Sequence, residues 1–485
     1  MAALAAVRSG GLSEFDLAVI GAGSGGLSVA AVAAQLGLRV ALIERDRMGG
    51  DCLNTGCVPS KALLAAAHAA ADARDAGRLG LRIAAPEVDW SAVQRHVHGV
   101  IATLAPADSV ERFSKLGATV LLGEARFVTR DTLAIAGAVG ERRLTARRIV
   151  VAAGSRASIP ALPGLNAVDY LTHETLFDLP QPPSHLLILG GGAIGLEMAQ
   201  AHVELGCRVT IVERGRLGGR EDRELMAVLA DALTRACVDV VTDAQVVRVE
   251  PGPALLLADG RRIRGSHLLI AIGRTPNLER LDLPTGGVRA TERGIATDLG
   301  LRSPSNRRVF AVGDIADPQG IGPRYLTHAA SHDAGIVIRQ AVFRVPARVS
   351  ATMPRVIYTA PELAQVGLTE AEARAAGSLK EVLRWPLADN DRAQTERRTA
   401  GLVKLVVGRR GRILGAGIAA PHAGEMIGAW TLAVTRRIPL AAMAELIVPY
   451  PTLAEAGRRA AGSGFARRLF ARSTRRAVWL LAMLP

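Results

Sequence analysis

Two glycine-rich loops constrain the fold of this 485-residue chain more than any other feature. Each loop lies between a short apolar run, at 16–20 or 186–189, and an Ala-rich helical stretch. Both loops keep the G-x-G-x-x-G register: Gly21, Gly23 and Gly26, then Gly190, Gly192 and Gly195. A second apolar run, at 39–43 or 208–212, follows each helical stretch and is closed by an acid, Glu44 or Glu213. One such loop is weak evidence, but two complete units predict an α/β protein with two Rossmann-like folds.

The chemistry of these units favours dinucleotide binding. The first glycine permits a tight turn, the second lets a pyrophosphate approach, and the third lets the helix pack on its strand. The helix N-terminus then faces the phosphates. We expect Glu44 and Glu213 to accept hydrogen bonds from a ribose diol. The alternative is two glycine turns in a parallel sheet that bind nothing.

Cys52 and Cys57 follow the first unit, five residues apart, and precede a helix predicted over 60–76. A helix N-terminus and a nearby Lys61 both favour a thiolate. A zinc site is disfavoured because no second pair of Cys or His with ligand spacing lies near, and we predict no metal site. A redox-active pair is therefore expected, with two inert buried cysteines as the alternative.

Composition excludes several classes of protein. Apolar residues make up 49% of the chain and charged residues 21%, which is typical of globular domains. The net charge of +14 comes from scattered arginines, so we expect no nucleic-acid binding. Four cysteines are too few for a disulfide scaffold, and the first 14 residues lack a signal-peptide core. Because no apolar run is long enough to span a membrane, we expect a cytoplasmic protein.

The pattern changes after Pro346. Strands of an antiparallel sheet are predicted at 356–359, 383–386, 402–407 and 413–418, with helices over 369–376 and 422–435. This region has no nucleotide loop, which makes it a candidate dimerisation domain.

Four motifs together are specific to one family: 49–61 (GGDCLNTGCVPSK), 152–155 (AAGS), 272–277 (IGRTPN) and 309–314 (VFAVGD). On these motifs the chain resembles the class I pyridine nucleotide–disulfide oxidoreductases, the group of glutathione reductase, dihydrolipoamide dehydrogenase and mercuric reductase. The resemblance runs from Asp16 to about Ala461. It implies that NAD(P)H reduces FAD, that FAD reduces a Cys52–Cys57 disulfide, and that two chains form a homodimer with shared active sites.

The resemblance also implies a domain order. Residues 1–155 and 280–345 form the FAD-binding domain, 156–279 the NAD(P)-binding domain and 346–462 the dimerisation domain. A basic amphipathic tail, 463–485, follows.

Residue roles are carried over in the same way. Cys57 faces the flavin as the charge-transfer thiolate, Cys52 meets the substrate, and Lys61 pairs with Glu197 beside flavin N5. The implied FAD site comprises Gly21, Gly23, Gly26, Glu44, Lys61, Gly154 and Asp314. The implied NAD(P) site comprises Gly190, Gly192, Gly195, Glu197, Glu213 and Gly273. Because a carboxylate at Glu213 repels a 2′-phosphate, NADH is expected; NADPH is the alternative, since Arg214, Arg216 and Arg220 follow.

The chain departs from the family near its C-terminus. Glutathione reductase and dihydrolipoamide dehydrogenase carry a His-Pro-Thr…Glu motif there, whose His is the acid–base for thiol–disulfide exchange. Here Tyr450 stands at the His position, and Glu455 remains. A Tyr is a poor base near neutral pH, so slow turnover of lipoamide or glutathione disulfide is expected. The extra C-terminal cysteine pair of mercuric reductase is also missing, so strict mercuric reductase activity is not expected.

The acceptor therefore stays open at this stage: a soft metal ion, a quinone or a disulfide, all small molecules. A flavin-to-quinone reductase with a bystander disulfide and a non-catalytic flavoprotein sensor are the alternatives. The tail interleaves arginines with apolar residues, so peripheral membrane contact is an alternative to a helix packed on the dimer.

Overall fold

The computed structural model describes residues 13–138 and 140–484; the side chains of Arg467 and Arg468 also lie outside the description. The prediction that the first residues are not a signal peptide therefore concerns a segment that lies mostly outside the described residues. The last residue of the predicted tail lies outside them as well. The first region alternates strands and helices, as its apolar runs predict. Its elements are β1 (Phe15–Ile20), α1 (Ser24–Gln35), β2 (Val40–Glu44), α2 (Gly50–Asn54), α3 (Cys57–Arg74), α4 (Trp90–Leu104), α5 (Val110–Lys115), β3 (Ala118–Leu122), β4 (Glu124–Phe127), β5 (Thr132–Gly137), β6 (Gly140–Val151) and β7 (Ser155–Ala157).

The second region repeats the pattern. Its elements are β8 (Tyr170–Leu171), β9 (His185–Leu189), α6 (Ala193–Glu204), β10 (Arg208–Val212), α7 (Arg223–Arg235), β11 (Asp239–Val241), β12 (Val246–Glu250), β13 (Ala254–Leu257), β14 (Arg262–Arg264), β15 (His267–Ile270) and β16 (Arg274–Pro276). Its parallel sheet has the order β11-β10-β9-β15-β8, and β12-β13-β14 form an antiparallel sheet.

The chain then returns to the first sheet. The elements here are β17 (Ala290–Thr291), β18 (Gly294–Thr297), β19 (Val309–Ala311), β20 (Ala316–Pro318) and α8 (Thr327–Ala341). Strand β19 pairs with β6, which extends the parallel order β3-β2-β1-β6. The strand β16 pairs with β7 and joins the two regions. Both parallel sheets bury strands of Val, Leu and Ile on two faces, so the predicted Rossmann-like α/β class is confirmed.

The last region is α+β. Its elements are β21 (Arg355–Ile357), β22 (Glu362–Gly367), α9 (Glu370–Ala375), β23 (Leu379–Pro386), α10 (Asp391–Thr395), β24 (Leu402–Gly408), β25 (Ile413–Ala420), α11 (Ala423–Thr435), α12 (Leu440–Ala444), α13 (Ala454–Leu469) and α14 (Arg472–Leu481). The sheet order is β21-β22-β25-β24-β23, all antiparallel. Among the described residues, no helix is long and apolar enough to cross a membrane.

Several predicted elements differ from the structure; strand β23, for example, begins at Leu379 rather than at residue 383. The helix expected from residue 60 begins at Cys57, and a separate short helix, α2, carries Cys52. Strand β22 was not predicted. Pro361 precedes it and Glu362 begins it, and neither residue is typical of a strand, although the residues that follow are buried. The earlier helix start places Cys57, rather than Ser60, at the positive end of α3.

Candidate active site

The two glycine loops have the same internal packing. A side chain at Gly21 would put its Cβ 2.4 Å from the Ala152 carbonyl oxygen, and at Gly26 1.9 Å from that of Gly21. In the second loop the corresponding distances are 2.4 Å from Gly190 to Ala271 and 2.1 Å from Gly195 to Gly190. In each loop the first and third positions must therefore be glycine, because any side chain there would clash with a backbone carbonyl.

The middle glycine of each loop faces open space. A Cβ at Gly23 would meet only Gly50, at 4.0 Å, and one at Gly192 would meet nothing within 4 Å. Gly23 and Gly192 are also the N-cap residues of α1 and α6, and no side chain caps either helix. The backbone N–H groups of the first turn are therefore directed toward this open space. The arrangement fits a pyrophosphate beside each loop.

The strand-terminal acids repeat the same geometry. Glu44 accepts from the backbone N–H of Ala22 (2.7 Å) and of Asp46 (2.9 Å). Glu213 accepts from Gly191 (2.6 Å) and Gly215 (2.9 Å). A carboxylate has about four acceptor positions, so both acids remain able to accept from a ribose diol.

The remaining predicted nucleotide residues lie at the carboxyl ends of the central strands. Gly154 follows β6 and Gly273 follows β15, both with positive φ, +65° and +139°. Asp314 follows β19 and accepts from the Ser155 hydroxyl at 2.6 Å. Burial raises the pKa of the Asp314 carboxyl. Ligands of open α/β sheets bind at this edge.

The two cysteines lie at the first sheet's edge as free thiols. Cys57 is the first residue of α3, and its Sγ lies 3.2 Å from the Thr327 Oγ1 at the start of α8. A hydrogen bond from Cys52 lowers the pKa of Cys57 to about 6, with help from Thr327 and the Lys61 charge. The same contact and burial raise the pKa of Cys52. Cys57 therefore carries the thiolate, and Cys52 keeps its proton.

Lys61 and Glu197 are brought together from α3 and α6. The Lys61 Nζ lies 2.7 Å from the Glu197 Oε2 and 4.5 Å from the centre of the Tyr358 ring. The other carboxylate oxygen, Oε1, accepts from the Tyr358 backbone N–H at 3.0 Å. Glu197 is buried, so the ammonium is fixed between a carboxylate and an aromatic face.

Tyr450 and Glu455 do not join the cysteines within one chain. The Tyr450 hydroxyl donates to the Asp391 Oδ2 at 2.9 Å, and this bond raises the pKa of the phenol. Glu455 accepts from Arg458 and Arg459 of its own helix, at 2.9 and 3.1 Å. The Tyr450 side chain is 70% exposed on the single chain.

Known families match nearly the whole chain. The model described as pyridine nucleotide-disulphide oxidoreductase matches residues 15–335, and its dimerisation domain matches 353–461. The chain belongs to this family. It is an oxidoreductase that uses FAD and NAD(P)H, and its dimerisation domain supports a homodimer.

Individual relatives match more than nine-tenths of the chain. A mercuric reductase of Streptomyces lividans is 37% identical, over 92% of this chain and 95% of its own. A dihydrolipoyl dehydrogenase of Geobacillus stearothermophilus is 33% identical, over 92% and 96%. A Cu(II) complex of the HOCl-induced flavoprotein disulfide reductase RclA from Escherichia coli superposes with a TM-score of 0.82 at 26% identity, covering 93% of this chain and all of that one.

Sequence reasoning missed a polar cluster beside Cys52. Arg274 donates to Asp51 at 2.8 Å and to the Ser155 hydroxyl at 2.7 Å, and lies 3.5 Å from Asp314. His173, which is buried, lies 3.1 Å from Asp51. Burial raises the pKa of Asp51, but His173 and Arg274 outweigh it and leave that pKa well below its usual range. The cluster ties α2, which carries Cys52, to the Asp314 loop.

Proposed function

We propose that this oxidoreductase passes electrons from NADH to a thiophilic metal ion through FAD and the Cys52–Cys57 pair. FAD, when bound, would supply the two-electron link between the nicotinamide and the disulfide. The two glycine loops with Glu44 and Glu213 bind the two dinucleotides. Lys61, fixed by Glu197, places a positive charge where reduction builds up negative charge.

The two thiols then have different tasks. Cys57, with its pKa held near 6, remains ionised at neutral pH and stays with the flavin. Cys52, whose pKa is raised, attacks or binds the acceptor and must first lose its proton. A metal ion achieves this without a base, because a coordinating thiol is deprotonated outright.

One observation carries the choice of acceptor: Tyr450, at the position of the family's acid–base His, is held protonated by Asp391. Exchange with an organic disulfide needs a proton on the leaving thiolate at neutral pH. A positioned base contributes typically 10²–10⁴-fold to such a step. A metal acceptor does not need it. The relatives named as mercuric reductases and the Cu(II) complex of RclA support a metal substrate.

The electrons balance in either case. Two cysteine thiolates form one disulfide and release two electrons, which reduce one Hg(II) to Hg(0) or two Cu(II) to Cu(I). NADH then restores the thiolates and becomes NAD⁺, so one proton is released for each NADH consumed.

An acceptor screen tests the proposal. Wild-type enzyme, Cys52→Ser and Cys57→Ser are supplied anaerobically with NADH and with Cu(II), Hg(II), a quinone, lipoamide or glutathione disulfide. We expect the highest kcat/KM with a metal ion, and loss of that activity in both variants. Faster turnover of lipoamide than of either metal refutes the metal assignment. Quinone reduction that survives in both variants indicates direct transfer from the flavin instead.

A further inference from the structure

The helix α14 is amphipathic and exposed. Arg472, Arg475 and Arg476 are three and four residues apart, so they share one face. Leu481 lies on the opposite face, and Val478 and Leu480 lie on the two flanks between these faces. The apolar side chains of this segment are each between 58% and 66% exposed: Val478, Trp479, Leu480, Leu481, Met483 and Leu484. The described part of the chain thus leaves this apolar surface uncovered.

The charge of the segment has one sign. Seven arginines and no acidic residue follow Glu455. The dimerisation-domain match ends at residue 461, so α14 lies beyond the part shared with that family model. A surface that combines arginines with exposed Trp and Leu side chains complements a partner that has anionic groups at its surface and an apolar interior.

We propose that the segment 463–485 binds the surface of an anionic membrane, with α14 lying in the interface plane. The apolar face would enter the acyl boundary while the arginines pair with lipid phosphates. The helix has ten residues and cannot cross a bilayer. Trp479 follows Arg475 and Arg476 by four and three residues, so it lies on the arginine face, where its amphipathic ring suits the headgroup level.

Two other occupants fit less well. A second copy of this chain carries the same net charge of +14, so it attracts the arginines less strongly than an anionic surface does. Nucleic acid would neutralise the arginines but leave Val478, Leu480, Leu481 and Leu484 in water. An anionic lipid surface offers partners to both the arginines and the exposed apolar side chains of the helix.

Sedimentation with vesicles tests this on the full-length holoenzyme. We expect binding to phosphatidylcholine vesicles that contain phosphatidylglycerol, little binding to phosphatidylcholine alone, and release by high salt. Replacing Arg472, Arg475 and Arg476 with Gln should lower the partition coefficient on the order of a hundredfold. A matched control replaces three exposed arginines near β14, Arg261, Arg262 and Arg264, with Gln, and should bind nearly as well as wild type.

Trp479 provides a second measurement. Its emission should shift to the blue with anionic vesicles, and Trp479→Phe should abolish the shift. Equal losses in the tail and control variants overturn the proposal, as does equal binding to both vesicle types. A tail variant that dissociates to monomers, or a Trp479 emission already blue and unchanged by vesicles, shows that a second copy covers the helix. Tight binding of an oligonucleotide without vesicle binding would assign the surface to nucleic acid.

Discussion

The ionisation of Cys57 can be measured apart from turnover, in a variant that cannot form the disulfide. In Cys52→Ser, the thiolate of Cys57 beside bound FAD should give a long-wavelength charge-transfer band without added reductant. Because the pKa of Cys57 is lowered from its ordinary value near 9 to about 6, roughly nine-tenths of it is ionised at pH 7. The band should therefore be strong at pH 7 and fade as the pH falls through 6.

The cause of the low pKa predicts how the midpoint moves. The largest stabilisation of the thiolate comes from Cys52, and the serine hydroxyl preserves that donor whereas alanine removes it. A hydrogen bond to a charged group is worth about 1.5–3 kcal/mol, which corresponds to about 1–2 pKa units. Since the sulfur of Cys57 is a weak acceptor, the lower end applies. We expect the midpoint in Cys52→Ala about one unit above that in Cys52→Ser.

Thr327 provides the matched test of the second donor. In the Cys52→Ser background, Thr327→Val removes the hydroxyl 3.2 Å from the sulfur and should raise the midpoint by about one unit. Thr327→Ser keeps a hydroxyl and should leave the midpoint unchanged. The assay is a spectrophotometric pH titration of the band, with FAD content checked for each variant, and iodoacetamide alkylation rates as a flavin-independent readout. A midpoint near 9 in Cys52→Ser, or one midpoint shared by the Ser and Ala variants, refutes the reasoning.

Three further predictions concern other parts of the chain. The kcat/KM for NADH should exceed that for NADPH by about 10²-fold or more, because two backbone N–H groups fix the Glu213 carboxylate where a 2′-phosphate would lie. A higher kcat/KM for NADPH contradicts this. Tyr450→His should raise lipoamide reduction by some part of the 10²–10⁴ that a base supplies and barely change flavin reduction by NADH in stopped flow; unchanged lipoamide activity contradicts the loss of the base. Lys404→Met should destabilise the protein by about 3–5 kcal/mol in guanidinium denaturation, since it leaves the buried Asp222 carboxylate without its cation. Lys380→Met, at an exposed site, should change the stability by under about 0.5 kcal/mol, and equal effects of the two variants contradict the prediction.

The sequence predicted best the features that its local periodicity encodes. Strand β10 has the predicted bounds, 208–212, and β1 and β9 each differ from prediction by a single residue. A parallel strand buried on both faces must be a continuous apolar run, and a glycine must follow it where backbone packs on backbone. These requirements involve residues that are close together in the chain, so the sequence pattern shows them directly.

No local sequence pattern shows which residues contact each other around the cysteines. Asp51 and Arg274 are 223 positions apart, and Cys57 and Thr327 are 270 apart. Only the return of the chain to the first sheet through β19 brings Thr327 to the sulfur. Tyr358 was assigned to the dimerisation domain by its sequence context, yet its ring packs on Lys61. Long-range polar pairs of this kind follow from topology rather than from periodicity.

Lysine usage is one signal that could have identified a long-range pair. The chain has 59 Lys and Arg residues, and only four of these are Lys. Two of the four bond carboxylates from distant elements: Lys61 to Glu197, and Lys404 to Asp222, Glu224 and Glu370, with distances of 2.6–2.9 Å. An ammonium is compact and directs three donors from one point, whereas a guanidinium is a wide planar fork. At Lys61 and Lys404 the compact ammonium therefore suits the site, and Lys404 lies at the joint between α7 of the nucleotide region and the sheet of the last region.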